Sequence, residues 1–292
     1  MGSRLVFGVI GRPAKSSPRK VLPGAKNSEE TKFAATTISM ERTTLLGMPA
    51  DFLTIEQAVK RILELSEKHK PHLVVTPNVD HFLRWRKDQG FREIYRESAL
   101  SVLDGQPLVW LAKILGNSGA VRVAGVDLVD SLLSECERKG VAVAILGGSR
   151  EANEAACAQM ITEHPKLNIF LSESPTLGEI SDSRYLRRLQ DKLSIRSGKI
   201  VLLCFGSPKQ ELLFLDLART GASGVFIGAG ATVDFLSGNK KRAPRLLQNL
   251  GLEWAYRLCL EPRRLLKRYL SNGVGFAPII FSESISRLFR RG

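Results

Sequence analysis

The strongest constraint on this chain is an alternation that starts near Thr54 and runs to Ala231. Short, mainly apolar runs, most ending in Gly, Pro or polar residues, alternate with longer stretches of helical period. Leu73–Val75 runs into Thr76-Pro77-Asn78, Leu100–Leu103 into Asp104-Gly105, and Val141–Leu146 into Gly147-Gly148-Ser149. Ile200–Phe205 runs into Gly206-Ser207-Pro208, and Val225–Ile227 into Gly228-Ala229-Gly230, with a further run at Leu167–Leu171. A strand that is apolar at every position has no face to offer water, so it must be covered on both sides. The covering helices are readable. Ile55, Ala58, Val59, Ile62, Leu63 and Leu65 recur at three- and four-residue steps behind Thr54, a suitable N-cap. Pro107 suits the first turn of the next helix but one.

The pattern predicts an α/β fold, a Rossmann-like and mostly parallel sheet with helices on both faces. Ligands of such sheets bind at the carboxyl ends of the strands, where all the polar loops above fall. The formal charge of +14 over 292 residues is unevenly placed. Residues 1–43 carry 8 Lys/Arg against 3 Asp/Glu, residues 44–238 carry 23 against 23, and residues 239–292 carry 12 against 3. This predicts a flexible basic leader (1–43), a neutral α/β domain (44–238) and an all-helical basic appendage (239–292) broken at Gly251 and Pro262. A neutral body argues against gripping nucleic acid with the main domain. Four scattered cysteines and four scattered histidines give neither a disulfide framework nor a metal-ligand spacing. No apolar run reaches the ~20 residues of a membrane-spanning helix, and the first residues lack a signal-peptide core.

Taken one at a time, the polar loops admit two readings. Asp104-Gly105 is either a local turn or a carboxylate at the mouth of the sheet that can take a proton from a hydroxyl. Thr76-Pro77-Asn78 is either a Pro-fixed loop with local caps or a hydroxyl and an amide facing a ligand, and His81 reads as a capping or packing residue. Gly147-Gly148-Ser149 and Gly228-Ala229-Gly230 are tight strand-to-helix turns or phosphate cradles, and neither is a full GxGxxG. Ser207-Pro208-Lys209-Gln210-Glu211 is a Pro-started helix or a polar edge of a site. No DxD occurs, which disfavours a sugar transferase that uses a divalent cation through that motif.

Seven stretches occur in order: TPNVDHFL, LDGQPLVW, RVAGVDLV, ILGG, FGSPKQE, IGAGATVDFLSGNKKRAP and GLEWAYRLCLEPRRLLKRYL. Together, over about Leu45 to Leu270, they resemble the WecG/TagA/CpsF family of bacterial glycosyltransferases. The resemblance implies inverting transfer of N-acetylmannosamine or a related sugar from a UDP-sugar donor to a polyprenyl-diphosphate-linked acceptor, without metal or other cofactor. It implies a peripheral place on the cytoplasmic face of the membrane. By the same resemblance Asp104 is the base, and Thr76, Asn78, Arg122 and Gln210 line the pocket. The appendage closes over the site and supplies Arg257 and Arg264 to the diphosphate. Pro107 departs from the small or short aliphatic residue usual after Gln106, and bears on the choice of sugar.

Lys267, Arg268, Arg287, Arg290 and Arg291, with the apolar Val274–Phe281, are expected to face anionic lipid. An exposed apolar appendage is also compatible with a homo-oligomer. Two other readings stand beside this one. A nucleic-acid-binding module would use the basic, aromatic C-terminal stretch, and a nucleotide-dependent oxidoreductase rests on fold analogy alone.

Overall fold

The computed structural model describes residues 42–290, apart from 241 and 250; most of the basic leader lies outside the described residues. Its last two positions belong to the fold. The Arg42 guanidinium donates to the Ser98 carbonyl and hydroxyl, and Thr43 to the Ala50 carbonyl. A small antiparallel pair comes next, β1 (Thr44–Leu45) and β2 (Met48–Pro49).

From there helices and parallel strands alternate. The first group is α1 (Ile55–Ser66), β3 (Pro71–Val75), α2 (Val79–Lys87), α3 (Gln89–Glu97), β4 (Leu100–Ser101), α4 (Gln106–Ile114) and α5 (Gly125–Lys139). The second is β5 (Ala142–Gly147), α6 (Arg150–Glu163), β6 (Ile169–Glu173), α7 (Ser183–Ser194), β7 (Lys199–Cys204), α8 (Lys209–Arg219) and β8 (Gly224–Gly228). After the last strand come α9 (Thr232–Leu236), α10 (Arg245–Asn249), α11 (Glu253–Leu260) and α12 (Pro262–Arg290).

Six strands form one sheet in the order β4-β3-β8-β7-β5-β6, with every neighbouring pair parallel. This is the Rossmann-like α/β fold that the apolar runs predict. Side chains of successive residues point to opposite faces, and the core divides accordingly. Leu73, Val75, Val201, Leu203 and Phe226 join the layer containing α2, α3, α4 and α8. Val74, Ile200, Leu202, Val225 and Ile227 join the layer containing α1, α5 and α6.

Several local predictions hold. Thr54 caps α1 in a reciprocal capping box with Gln57, and Pro107 sits at the start of α4. Others shift. The strand expected at Leu100–Leu103 is only two residues long, and the edge strand begins at Ile169 rather than Leu167. The polar helical stretch is two helices, because Asp88 turns its side chain onto the Phe91 N–H and starts α3.

The C-terminal segment departs most from expectation. Gly251, at φ +72°, and Pro262 do break it, but Pro262 opens a single helix of 29 residues that runs through Gly273, Gly275 and Pro278. It packs against α2 and α4. Gly275 permits the approach to α2, since a Cβ there would lie 3.1 Å from Leu83 Cδ1. Phe276 meets Phe82 edge-on, with ring centres 5.8 Å apart. No helix among the described residues is long and apolar enough to cross a membrane.

Candidate active site

A cavity of about 390 Å³ lies between the carboxyl ends of β3 and β4 and the helices α11 and α12. Its volume is within the ~300–1,000 Å³ usual for small-molecule sites. The floor is Asn78 to Asp80, Asp104 to Pro107 and Arg122. The roof mixes charge and grease: Glu253, Trp254 and Arg257 from α11, with Arg268, Tyr269, Phe276 and Ile280 among those from α12.

Asp104 lies just beyond β4. The chain holds it there because its backbone N–H donates to the Pro77 carbonyl at 3.0 Å, and Val123 N–H to the Leu103 carbonyl at 2.8 Å. Burial raises the pKa of its carboxyl above the ordinary aspartate range. Arg122, Arg257 and the Gly125 N–H pull the other way without cancelling the effect, and Glu253 adds to it. A partly desolvated carboxylate with donors fixed around it is a competent proton acceptor.

Asn78 does two things. Its side-chain oxygen caps α2, accepting from Asp80 N–H at 3.0 Å and His81 N–H at 3.3 Å. The residue also lines the cavity. His81 completes the cap: its Nδ1 accepts from the Asn78 N–H at 3.2 Å. Burial pushes the His81 pKa down to about 4, so the ring stays neutral and able to accept. Gly105 is pinned against this cap, because a Cβ there would lie 3.2 Å from Asn78 Cα.

The remaining expected residues divide. Arg122 lines the cavity and donates from Nε to the Asp104 carbonyl at 3.1 Å. Arg257 lines it too, with its guanidinium 4.6 Å from the Phe235 ring centre. Thr76 stands behind the floor: its hydroxyl lies 3.5 Å from the Gly228 carbonyl, and it and Asp104 flank Gly125. Gln210 is buried in the wall, where its oxygen accepts from the Gly230 N–H at 3.1 Å and its amide donates to Glu211. It does not line this cavity. The room left by Gly228 and Gly148 is filled by Gln210 and Val233, which favours tight packing turns at those two glycines.

Three basic residues are not where the sequence put them. Arg264 pairs with Glu261 on the exposed side of α12 and does not reach the cavity. The residue that does is Arg268, one turn further on, stacked 5.3 Å over Tyr269; it was expected at the lipid. Arg287 is also drawn inward, donating to the Lys113 carbonyl at 2.8 Å and to that of Ile114. Carbonyls at a helix C-terminus have no partner in their own helix, so a guanidinium is well placed there. Lys267 is exposed beside Arg263, Leu266 and Leu270. The Arg290 side chain and Arg291 lie outside the described residues.

One participant escaped the sequence reading. Glu253, at the first position of α11, is buried and receives Arg122 at 2.6 Å, Arg257 at 3.1 Å and Arg242 at 3.5 Å. Burial alone would raise its pKa, but the arginines outweigh it and hold the carboxyl below the ordinary glutamate range. Arg242 also pairs with Asp127 of α5. The only readable trace of this cluster was the Glu253–Arg257 spacing of four residues on one helix. Asp130, Glu163 and His164 could converge on a cation, but they stand on α5 and at the end of α6 and take no part in the cavity lining.

An acidic group at the end of an edge strand, opposed by arginines on a covering helix, matches the arrangement of motifs that ran through the sequence. The model of the glycosyl transferase WecG/TagA/CpsF family matches residues 43–290, spanning the sheet, Asp104 and both roof helices, and the chain belongs to that family of glycosyl transferases.

Proposed function

We propose that this glycosyl transferase moves a sugar, N-acetylmannosamine or a close relative, from a UDP donor to a polyprenyl-diphosphate-linked sugar, with inversion at the anomeric carbon. Asp104 is the base. As the acceptor hydroxyl oxygen attacks the anomeric carbon, its proton passes to the Asp104 carboxylate, and the bond to UDP breaks with its electron pair leaving on the diphosphate. Arg122, Arg257 and Arg268 provide positive charge for the diphosphate groups around this step. Inversion results from a single displacement. Metal independence is suggested by the lack of a DxD motif, which leaves the arginines to stabilise the leaving group.

The observation that carries this reading is the composition of the cavity: a raised carboxylate on the floor, guanidiniums on the roof and aromatic and aliphatic side chains leading away along α12. An acceptor with a charged diphosphate between a sugar and a lipid needs all three. The outer face of α12 supports membrane contact, since Leu266, Leu270, Val274 and Phe281 are exposed along it, with Lys267 and Arg263 beside them. Each cation near an anionic leaflet contributes about 1 kcal/mol. The inner leaflet of the cytoplasmic membrane, where UDP-sugars and such acceptors meet, is the matching location.

The test is UDP release across a panel of UDP-sugars, using a short polyprenyl-diphosphate-GlcNAc acceptor. One donor is expected to turn over, and Asp104→Asn to fold normally while losing roughly 10²–10⁴-fold in rate. An unaffected Asp104→Asn rate overturns the assignment.

A further inference from the structure

Glu253 is unusual in being the shared partner of three arginines that come from separated parts of the chain. Arg122 precedes α5 and also holds the Asp104 carbonyl. Arg242 lies between α9 and α10 and is tied to Asp127, and Arg257 is one turn along α11. Only the last pair is local. The other two join the roof to the sheet domain. Surface ion pairs contribute little, but this carboxylate is buried, and its removal would take the carboxylate partner from Arg122 and Arg257 and leave Arg242 with Asp127 alone.

The position of Glu253 matters as much as its burial. Arg122 touches both the backbone of Asp104 and the carboxylate of Glu253, so a shift in one is carried to the other through a single planar group. Arg257 reaches Glu253 with one nitrogen, and the residue also lines the cavity. The Arg122 Nη1 adds a bond to the Gln248 carbonyl at 3.2 Å, and Arg242 one to the Gln248 side chain at 3.0 Å. The segment just before α11 is thus held by the same arginines.

We propose that Glu253 is a positioning residue, whose carboxylate clasps the roof to the floor and sets the charge that surrounds Asp104. This rests on the reading of Asp104 as the base. The charged groups facing Asp104 are Arg122 from the segment before α5, and Arg257 and Glu253 from α11, with the Gly125 backbone at the start of α5 beside it. Glu253 opposes the two arginines. Without its charge they act on Asp104 unopposed, so Asp104 ionises at lower pH and becomes a weaker base.

The experiment compares the full-length protein with Glu253→Gln and Glu253→Asp, measuring kcat against pH with the lipid acceptor and hydrogen exchange of α11. Glu253→Gln is expected to lose roughly 10–100-fold in kcat, the scale of a small misplacement of reacting groups. Its acid limb should move to lower pH, and α11 should exchange faster. Glu253→Asp keeps the charge, so its acid limb should stay with the wild type while kcat recovers in part. A limb that does not move in Glu253→Gln, or that moves equally in both variants, overturns the proposal. If Glu253→Gln does not fold, Glu253→Asp decides: a wild-type limb with faster α11 exchange supports the clasp, and wild-type exchange overturns it. Failure of the base assignment looks different, because Asp104→Asn would then stay active.

Discussion

Replacing Phe276 with alanine should release α12 from the sheet domain without unfolding the domain itself. Among the α12 residues whose side chains are described, only Leu265 and Phe276 are buried. The helix is therefore held by few anchors, and Phe276 is the one of these two that joins the main apolar core, against α2 and beside the cavity. Truncating a buried phenylalanine costs about 3–5 kcal/mol, of which about 0.5–1.5 kcal/mol is the edge-on contact with Phe82. If that loss falls on the opening of α12 alone, amide protection along the helix should drop by roughly 10²–10⁴-fold. The sheet strands should keep theirs. Native-state hydrogen exchange resolves the two, and turnover with a lipid acceptor should fall in parallel. The reasoning fails if α12 loses less than a tenfold factor, or if the strands lose protection equally, which would make roof and sheet one cooperative unit.

Two further outcomes are expected. Arg268→Ala should raise the KM for the diphosphate-linked acceptor, while Arg264→Ala, which removes only an exposed pair with Glu261, should leave it close to wild type; equal effects would contradict the placement of Arg268 at the cavity. The pH dependence comes from opposite shifts. Asp104 is raised, so the active carboxylate form is lost as pH falls through a value above the ordinary aspartate range. Glu253 is lowered, so the stability it contributes is present above the ordinary glutamate range and is lost only at still lower pH. Activity should therefore disappear on acidification before α11 becomes accessible to limited proteolysis, and the reverse order would refute the pair of shifts.

The sheet was legible because its central strands are nearly continuous apolar runs that end in residues unable to continue them. β5 and β7 are the clearest cases, apolar throughout apart from the buried Lys199 and running into glycine. The edges were less so. β4 pairs on one side only and keeps two residues of ladder from the four-residue stretch Leu100–Leu103, and Leu167, though buried, packs outside β6. For the site, the order of motifs marked Asp104, Asn78, Arg122 and Arg257. It could not separate Arg264 from Arg268, which are one turn apart on the same side of one helix. Their difference is set by where the cavity rim crosses α12 and by Glu261, which captures the earlier arginine. Glu253 was hidden for a related reason: two of its three arginines reach it only through the fold.

The roof over Asp104 has a consequence in time. All six strands precede it in the chain, and 62 residues separate Gly228, the end of β8, from Arg290, the end of α12. At about 5–20 residues per second, translation needs roughly 3–12 s to cover that distance. A nascent chain therefore holds every strand of its sheet, and Asp104 with them, before α12 is complete. Synthesis orders the events: the sheet that carries Asp104 comes first, and the helices that cover it come last.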